Sequence, residues 1–339
     1  MICIFSTSID HSTTDVMRWL FHLGERDVVR INSDDVIANS QIKIDIRNEK
    51  FCFRINERMI HLDEIESVWY RKGGNWLCNL FYPVSVDGHE RFTDYLNRKI
   101  KLEETKLSEY LHFLIERTVP VLGTSTKGDL NKLLVLSAAK KAGLLAPDLY
   151  ISNHKEGIEN VRKNTPDLIT KAMSDGLYLF DNMEKNTGYF TYTESVDDTM
   201  MEGVGENISP SLLQKNIHKK YEVRVFFLED KCYSMAILSQ MDEHTKTDFR
   251  KYNDQKPNRF VPYVLPEDID VKLKVLFGEL KLNTGSVDLM VDEQDRFYFL
   301  EINPVGQFGM VSAPCNYFLE KQVALNLIEY AKHRSNKAA

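Results

Sequence analysis

Apolar and polar positions along this chain repeat with two periods, and each change of period marks an element. Residues 2–5 form a short apolar run read as a strand. Ser12-Thr13-Thr14-Asp15 has capping-box spacing and opens a helix with Val16, Trp19, Leu20 and Leu23 on one face. Gly24 stops that helix, and residues 28–31 read as a second strand, so the chain begins β-α-β. Residues 42–46 and 51–55 alternate cleanly around a polar link, which predicts a hairpin. Residues 67–70 are a further strand running into Arg71-Lys72-Gly73-Gly74. A charged amphipathic stretch, roughly 90–116, predicts one long helix or two, and residues 119–123 close the region.

Thr126-Lys127-Gly128-Asp129 repeats the capping-box spacing before a helix expected to turn Leu130, Leu133, Leu134 and Ala138 toward a core, ended by Gly143 and Pro147. Residues 167–172 read as a strand, 176–192 as a strand-and-turn region, and 211–217 lead into a strongly strand-like run at 221–228. Residues 286–291 and 296–302 pattern as a hairpin, and Leu319, Val323 and Leu327 share one face of a closing helix. The alternation of both periods implies a mixed α/β (α+β) fold.

Composition adds limits. At 339 residues, 43% hydrophobic and 27% charged, the chain is long enough for two or three ordinary globular domains. A net charge of −7 argues against general nucleic-acid or anionic-membrane binding. No apolar run is long enough to span a bilayer, so no membrane is expected. Five scattered cysteines without a C-x-x-C pair favour a reducing, cytoplasmic setting over a disulfide framework or a zinc site.

The sharpest chemical signal is the last hairpin. Side chains alternate along a strand, so Glu301 and Asn303 project from one face and Leu300 and Ile302 from the other. With residues 293–296 as the turn, Asp288 is expected opposite Glu301. Two close carboxylates repel unless a cation compensates, and hard oxygen donors suit Mg²⁺. A plain solvent-facing hairpin is the competing reading, weakened by Asn-Pro and by Gly306 and Gly309 just beyond. Lys132 near a helix start and Lys171 within an apolar strand are candidate phosphate ligands, although a strand lysine also fits an edge. Gln214, Lys215, Asn216 and Ile217 precede Glu222-Val223-Arg224. That segment can offer backbone groups to a base and a carboxylate to a ribose, or serve as a linker before a salt-bridged strand. Arg250 sits in a polar loop, where it is either solvated or set against a transferring phosphoryl group. No P-loop, G-x-G-x-x-G, H-E-x-x-H or G-x-S-x-G occurs.

Taken in order, Lys132, Lys171, the segment from Gln214 to Ile217, Glu222-x-Arg224, Arg250, and Asp288 with Glu301-x-Asn303 resemble the ATP-grasp superfamily across about residues 120–330. The opening Phe5-Ser6-Thr7-Ser8-Ile9-Asp10-His11-Ser12-Thr13 and the strand end Trp69-Tyr70-Arg71-Lys72 look like graspetide synthetases, the microviridin-type and grasp-with-spasm peptide maturases. The resemblance implies an ATP-grasp fold with a pre-ATP-grasp domain at 1–123, a lid subdomain at 124–217 and a C-terminal subdomain at 218–339. It implies ATP and Mg²⁺ as cofactors, with Asp288, Glu301 and Asn303 on the metal. Lys132, Lys171, residues 214–217 and Glu222 would bind the nucleotide, and Arg224 and Arg250 would serve catalysis. The implied partner is a ribosomal precursor peptide, a leader plus a Thr/Glu/Asp-rich core, with Arg71, Lys72 and residues 176–192 as candidates to meet it and the enzyme a homodimer. Two departures stand out: Lys215 and Asn216 replace the usual acid and aromatic of the hinge, and only Gly176 lies near the loop after Lys171.

The implied reaction joins Asp or Glu side-chain carboxylates to Thr or Ser hydroxyls, or to Lys amines, through acyl phosphates. An intermolecular carboxylate–amine ligase would use the same nucleotide-site residues. A non-catalytic binder using Tyr70-Arg71-Lys72-Gly73-Gly74-Asn75-Trp76 to grip nucleic acid is the third reading, which net acidity disfavours.

Overall fold

In a computed structural model the structure describes residues 1–34, 42–55, 57–72, 84–126, 128, 130–174, 178–182, 187–238 and 258–338. Arg250, residues 73–76, Gly176, Lys127 and Asp129 lie outside them. The chain forms two compact units: Met1–Asp129, Leu282–Gly285 and Asn303–Ala339 make the first, and Leu130–Lys281 with Ser286–Ile302 the second. The three consecutive segments expected from sequence are a different kind of division and remain a proposal.

The first unit opens as its pattern predicts, with β1 (Ile2–Ser6), α1 (His11–His22) and β2 (Val28–Asn32), the strands parallel. The cap differs from expectation. Asp10, not Ser12, is the N-cap residue, and its carboxylate accepts from the Thr13 N–H at 3.0 Å. Local spacing cannot choose between two capping side chains two residues apart; here the buried one wins because it also has cationic partners. A small antiparallel sheet of β3 (Ile42–Asp45), β4 (Lys50–Ile55) and the unforeseen β5 (Arg58–His61) follows. Next come β6 (Ser67–Tyr70), a single long helix α2 (Glu90–Thr118) and β7 (Val121–Leu122). β2-β1-β6-β7 form one parallel sheet. Every residue of β1 and β6 is buried, as befits parallel strands covered on both faces. Cys3, Phe5, Val68 and Tyr70 pack with Phe51, Phe53 and Ile60 and with Leu111, Leu114 and Ile115 of α2. Gly123, at φ +82°, turns the chain after β7; an added Cβ would lie 2.5 Å from the Tyr70 carbonyl oxygen, so glycine is required there.

The second unit starts with α3 (Lys132–Lys141). Its cap is Asn131, whose side chain accepts from the Leu133 and Leu134 N–H groups, not the Thr126 box. The shift turns the helix: Val135, Leu136, Ala138 and Ala139 are buried, whereas Leu134, expected inside, is 69% exposed. Next come β8 (Leu149–His154), α4 (Lys155–Asn164), β9 (Leu168–Lys171), β10 (Tyr178–Asn182), β11 (Thr187–Phe190), β12 (Glu194–Ser195), α5 (Asp198–Glu202) and β13 (Asn207–Lys215). β12-β9-β13-β8 form an antiparallel sheet; Leu168, Leu213 and Val196 pack with Ile158 of α4 on one face. A second sheet, β16-β15-β14-β17-β18, uses β14 (Lys219–Leu228), β15 (Lys231–Leu238), β16 (Arg259–Tyr263), β17 (Thr284–Asp292) and β18 (Phe297–Asn303). Helix α6 (Glu267–Leu280) packs on it, with Phe227 and Phe277 stacked at 3.8 Å.

The chain ends in the first unit with α7 (Gly309–Cys315) and α8 (Leu319–Ala338). Leu319, Val323 and Leu327 are fully buried, as the periodicity predicts, and α8 lies along α1 and β6.

Candidate functional site

Five of the candidate residues of the second unit, Lys132, Glu222, Arg224, Asp288 and Glu301, fall on three neighbouring strands and one helix start. Glu222 and Arg224 alternate with Val223 and Val225 on β14, so they share the face opposite Phe227, which packs against α6. β17 adjoins β14 and carries Asp288; β18 adjoins β17 and carries Glu301. Arg224 Nη1 lies 3.1 Å from Asp288 Oδ1 and 3.3 Å from Oδ2. Lys132, first residue of α3, places its Nζ 2.8 Å from Glu301 Oε2. Thus a proposed phosphate lysine and a proposed metal carboxylate do meet, and so do a proposed catalytic arginine and a second carboxylate.

One atom here is unmatched. Arg224 Nε is buried and has no hydrogen-bond partner among the described residues. A buried guanidinium N–H left unpaired is costly, and in a native structure it points to a ligand or water. The donor set can be tested against Mg²⁺. Among the described residues no group of three or more His, Cys, Asp or Glu could hold a metal. Mg²⁺ needs no such cage, since it is commonly held by one or two carboxylates plus phosphates and water. Asp288 and Glu301 fit that sparse pattern.

The hairpin departs from its expected regularity. Its turn is closed by Asp292, whose Oδ1 accepts from the Gln294 and Arg296 N–H groups at 3.0 and 2.9 Å and whose Oδ2 meets Arg296 Nε at 2.7 Å. Asp295, at φ +58°, makes the left-handed step, and Asp292 N–H donates to the Arg296 carbonyl. Burial alternates from Phe297 to Leu300, then slips: Leu300 and Glu301 are both out of the core before Ile302 is buried and Asn303 exposed. Glu301 and Asn303 are each exposed. In the first unit, Asn303 Oδ1 accepts from the Val305 N–H at 3.0 Å and, more weakly, the Gly306 N–H at 3.4 Å.

Lys171 on β9 pairs with Leu212 on β13, and Ile169 pairs with Gln214. Direct partners in an antiparallel pair share a face, so Lys171 and Gln214 project together, away from the α4 side where Leu168 and Leu213 pack. Lys171 is half-buried and Gln214 buried. At the hinge, Lys215 N–H donates to the Asp148 carbonyl at 3.0 Å and Asn216 N–H to the Asp167 carbonyl at 2.9 Å. Asp167, at φ +63°, braces the segment further through Asn216 Nδ2 at 3.2 Å and His218 Nε2 at 2.7 Å.

Two groups went unread in the sequence. Lys219 is buried and its ammonium is bound to the Glu222 carboxylate; a second lysine beside Lys220 gives no sign of which one turns inward. Asp10 is the other. Arg71 is not a surface group: it is 2% exposed and bonded to buried Asp10. Lys72 is partly exposed, with its Nζ 3.3 Å from Asp10. Burial alone would raise the Asp10 carboxyl, but Arg71, the Thr13 hydrogen bonds and Lys72 outweigh it and hold it below the ordinary range.

No protein-family model matches the chain. No curated protein matches it either. Solved structures do share its fold. The macrocyclase MdnC of Microcystis aeruginosa MRC, bound with precursor peptide MdnA, is 24% identical at a TM-score of 0.75, covering 97% of this chain and 99% of its own. A RiPP-associated ATP-grasp ligase of Chryseobacterium gregarium, in complex with ADP and a leader and core peptide, is 22% identical at 0.75, covering 100% and 97%. ATP-grasp ligase PsnB with minimal precursor, Mg and ADP is 14% identical at 0.73, covering 97% of each chain.

Proposed function

We propose that this protein is an ATP-dependent peptide macrocyclase of the graspetide type. The observation that carries the reading is the pairing of Lys132 with Glu301 and of Arg224 with Asp288, beside a buried guanidinium N–H that still needs a partner. Two cations and two carboxylates in that array suit a magnesium-bound polyphosphate. The full-length fold likeness to ligases solved with precursor peptides supports a peptide substrate.

In the proposed reaction a substrate Asp or Glu carboxylate attacks the γ-phosphorus of ATP, breaking the bond to the bridging oxygen and giving an acyl phosphate and ADP. A Thr or Ser hydroxyl, or a Lys amine, of the same peptide then attacks the acyl carbon. The ester or amide forms, phosphate leaves, and the nucleophile's proton is lost. Lys132 and Lys171 hold the polyphosphate. Glu222 takes the ribose, while Gln214 and residues 215–217 take the base. Arg224 and Arg250 stabilise the transferring phosphoryl group. Asp288, Glu301 and Asn303 would hold Mg²⁺, which when bound would offset phosphate charge. No nucleophile of the enzyme is consumed, and confinement of both reacting groups in one peptide supplies proximity. Lys72 is the better of the two peptide-contact candidates because it retains exposure. A homodimer and a cytoplasmic location complete the proposal. Among the described residues no helix is long and apolar enough to cross a membrane.

The test is mass spectrometry of a Thr/Glu-rich precursor incubated with the protein, ATP and Mg²⁺. Loss of one water per crosslink with matching ADP release is expected. Addition of a separate amine to the carboxylate would favour the intermolecular ligase, and no ADP release would reject both.

A further inference from the structure

Arg71 is the most thoroughly engaged buried cation of the first unit, and the proposed chemistry does not use it. Its Nε donates to Asp10 Oδ2 at 3.3 Å, and Nη1 donates to the carbonyls of Val305 and Gly306, the latter at 2.7 Å. The guanidinium also lies over the Phe308 ring, 5.2 Å from its centroid. A guanidinium at 2% exposure needs a counter-charge, and Asp10 supplies it, itself pinned by Thr13 Oγ1 at 2.7 Å. A counter-charge alone does not require two main-chain carbonyls some 230 residues away in sequence. Those carbonyls belong to the turn that begins at Asn303. Its N–H groups at 305 and 306 are taken by Asn303 Oδ1, and Gly306 N–H also donates to the Asn303 carbonyl at 3.1 Å. The turn is therefore held from both sides, its N–H groups by Asn303 and its carbonyls by Arg71.

We propose that Arg71 is a positioning residue that fixes the turn after Asn303 and so sets the direction of the Asn303 side-chain oxygen. The proposal rests on the reading of Asn303 as a metal ligand. The long 3.4 Å contact to Gly306 leaves that oxygen a lone pair for a cation. Lysine could carry the charge at position 71 but not the fork that reaches a carboxylate and two carbonyls together.

The experiment uses the full chain with Arg71→Lys and reads two things besides activity: hydrogen–deuterium exchange of residues 303–308, and calorimetric ADP binding with and without Mg²⁺. Exchange in that segment should rise about tenfold while β1 and β6 stay protected. The Mg²⁺-dependent part of ADP binding should weaken about tenfold, as for a residue behind a metal ligand, with Mg²⁺-free binding unchanged. If Arg71→Lys does not fold, the charge-neutral pair Asp10→Asn with Arg71→Gln takes its place. Unchanged exchange at 303–308 in a folded variant overturns the proposal. An Asn303→Ala variant separates the two layers: intact Mg²⁺ dependence there overturns the metal reading itself, whereas lost dependence with an unaffected Arg71 variant overturns only the role of Arg71.

Discussion

Each unit pairs an arginine with an aspartate, and the two pairs are finished differently. In the first unit Arg71 and Asp10 are 2% and 4% exposed, and Arg71 spends both Nε and Nη1 on protein acceptors. In the second, Arg224 and Asp288 are 12% and 23% exposed, and Arg224 Nε has no partner among the described residues. A guanidinium held by a carboxylate and two main-chain carbonyls works as a tie. An incomplete one retains binding capacity, at a cost in stability that a ligand can repay. The lesson is that a buried Arg–Asp pair is read as structure or as site by counting which of its N–H groups remain.

The strongest way to break this contrast is to remove the open pair's carboxylates. Asp288→Asn and Glu301→Gln should each lower ATP-dependent product formation by about a thousandfold or more, while the melting temperature stays within a few degrees. Full turnover in either variant would sink the metal assignment. The closed pair should respond the other way: Asp10→Ala strands a buried guanidinium, and denaturant unfolding should lose about 3–5 kcal/mol. Arg224→Met, by contrast, should leave stability within about 1 kcal/mol while turnover collapses. A stability loss as large as that of Asp10→Ala would erase the distinction drawn here.

The first unit also carries a proton-linked weakness. Burial holds His112, bonded to the Tyr70 hydroxyl at 2.9 Å, at about 4 instead of 6.5. A histidine whose folded value is depressed binds its proton in the unfolded chain first. Stability is therefore full above about pH 6.5 and falls as pH drops toward 4, by up to about 3 kcal/mol. His112→Phe should flatten that slope in pH-dependent melting. Gly123→Ala should cost about 2 kcal/mol through the clash with the Tyr70 carbonyl, measured by the same unfolding curves. Lys72→Ala, at a partly exposed charge, should move stability by less than about 1 kcal/mol.

Much of the architecture could be read from residue pattern. The strands at 2–6, 28–32 and 67–70 declare themselves by apolar runs, and α8 by Leu319, Val323 and Leu327. The strands and helices that gave no signal are those without a clean period: β8 has mostly exposed or half-buried positions, and α4 buries only Ile158. Both helix starts were displaced because capping residues are abundant near them: Asp10 has a buried cationic partner, and Asn131 accepts from two first-turn N–H groups. For the site, residue types in order were enough to nominate Lys132, Arg224, Asp288 and Glu301. The pairing Lys132–Glu301 was not legible, since it joins a helix start to a strand far along the chain. Nor was the inward turn of Arg71, because a basic strand end looks the same in sequence whether it meets solvent or a buried aspartate.

The path of the chain has a consequence for synthesis. α8 seals α1 and β6 of the first unit, yet it is translated long after them. At ordinary ribosomal rates the nascent β1-α1-β2 layer and Trp69 wait roughly ten seconds to a minute for that cover. During that interval an apolar flank meant for a helix stands open to other partners.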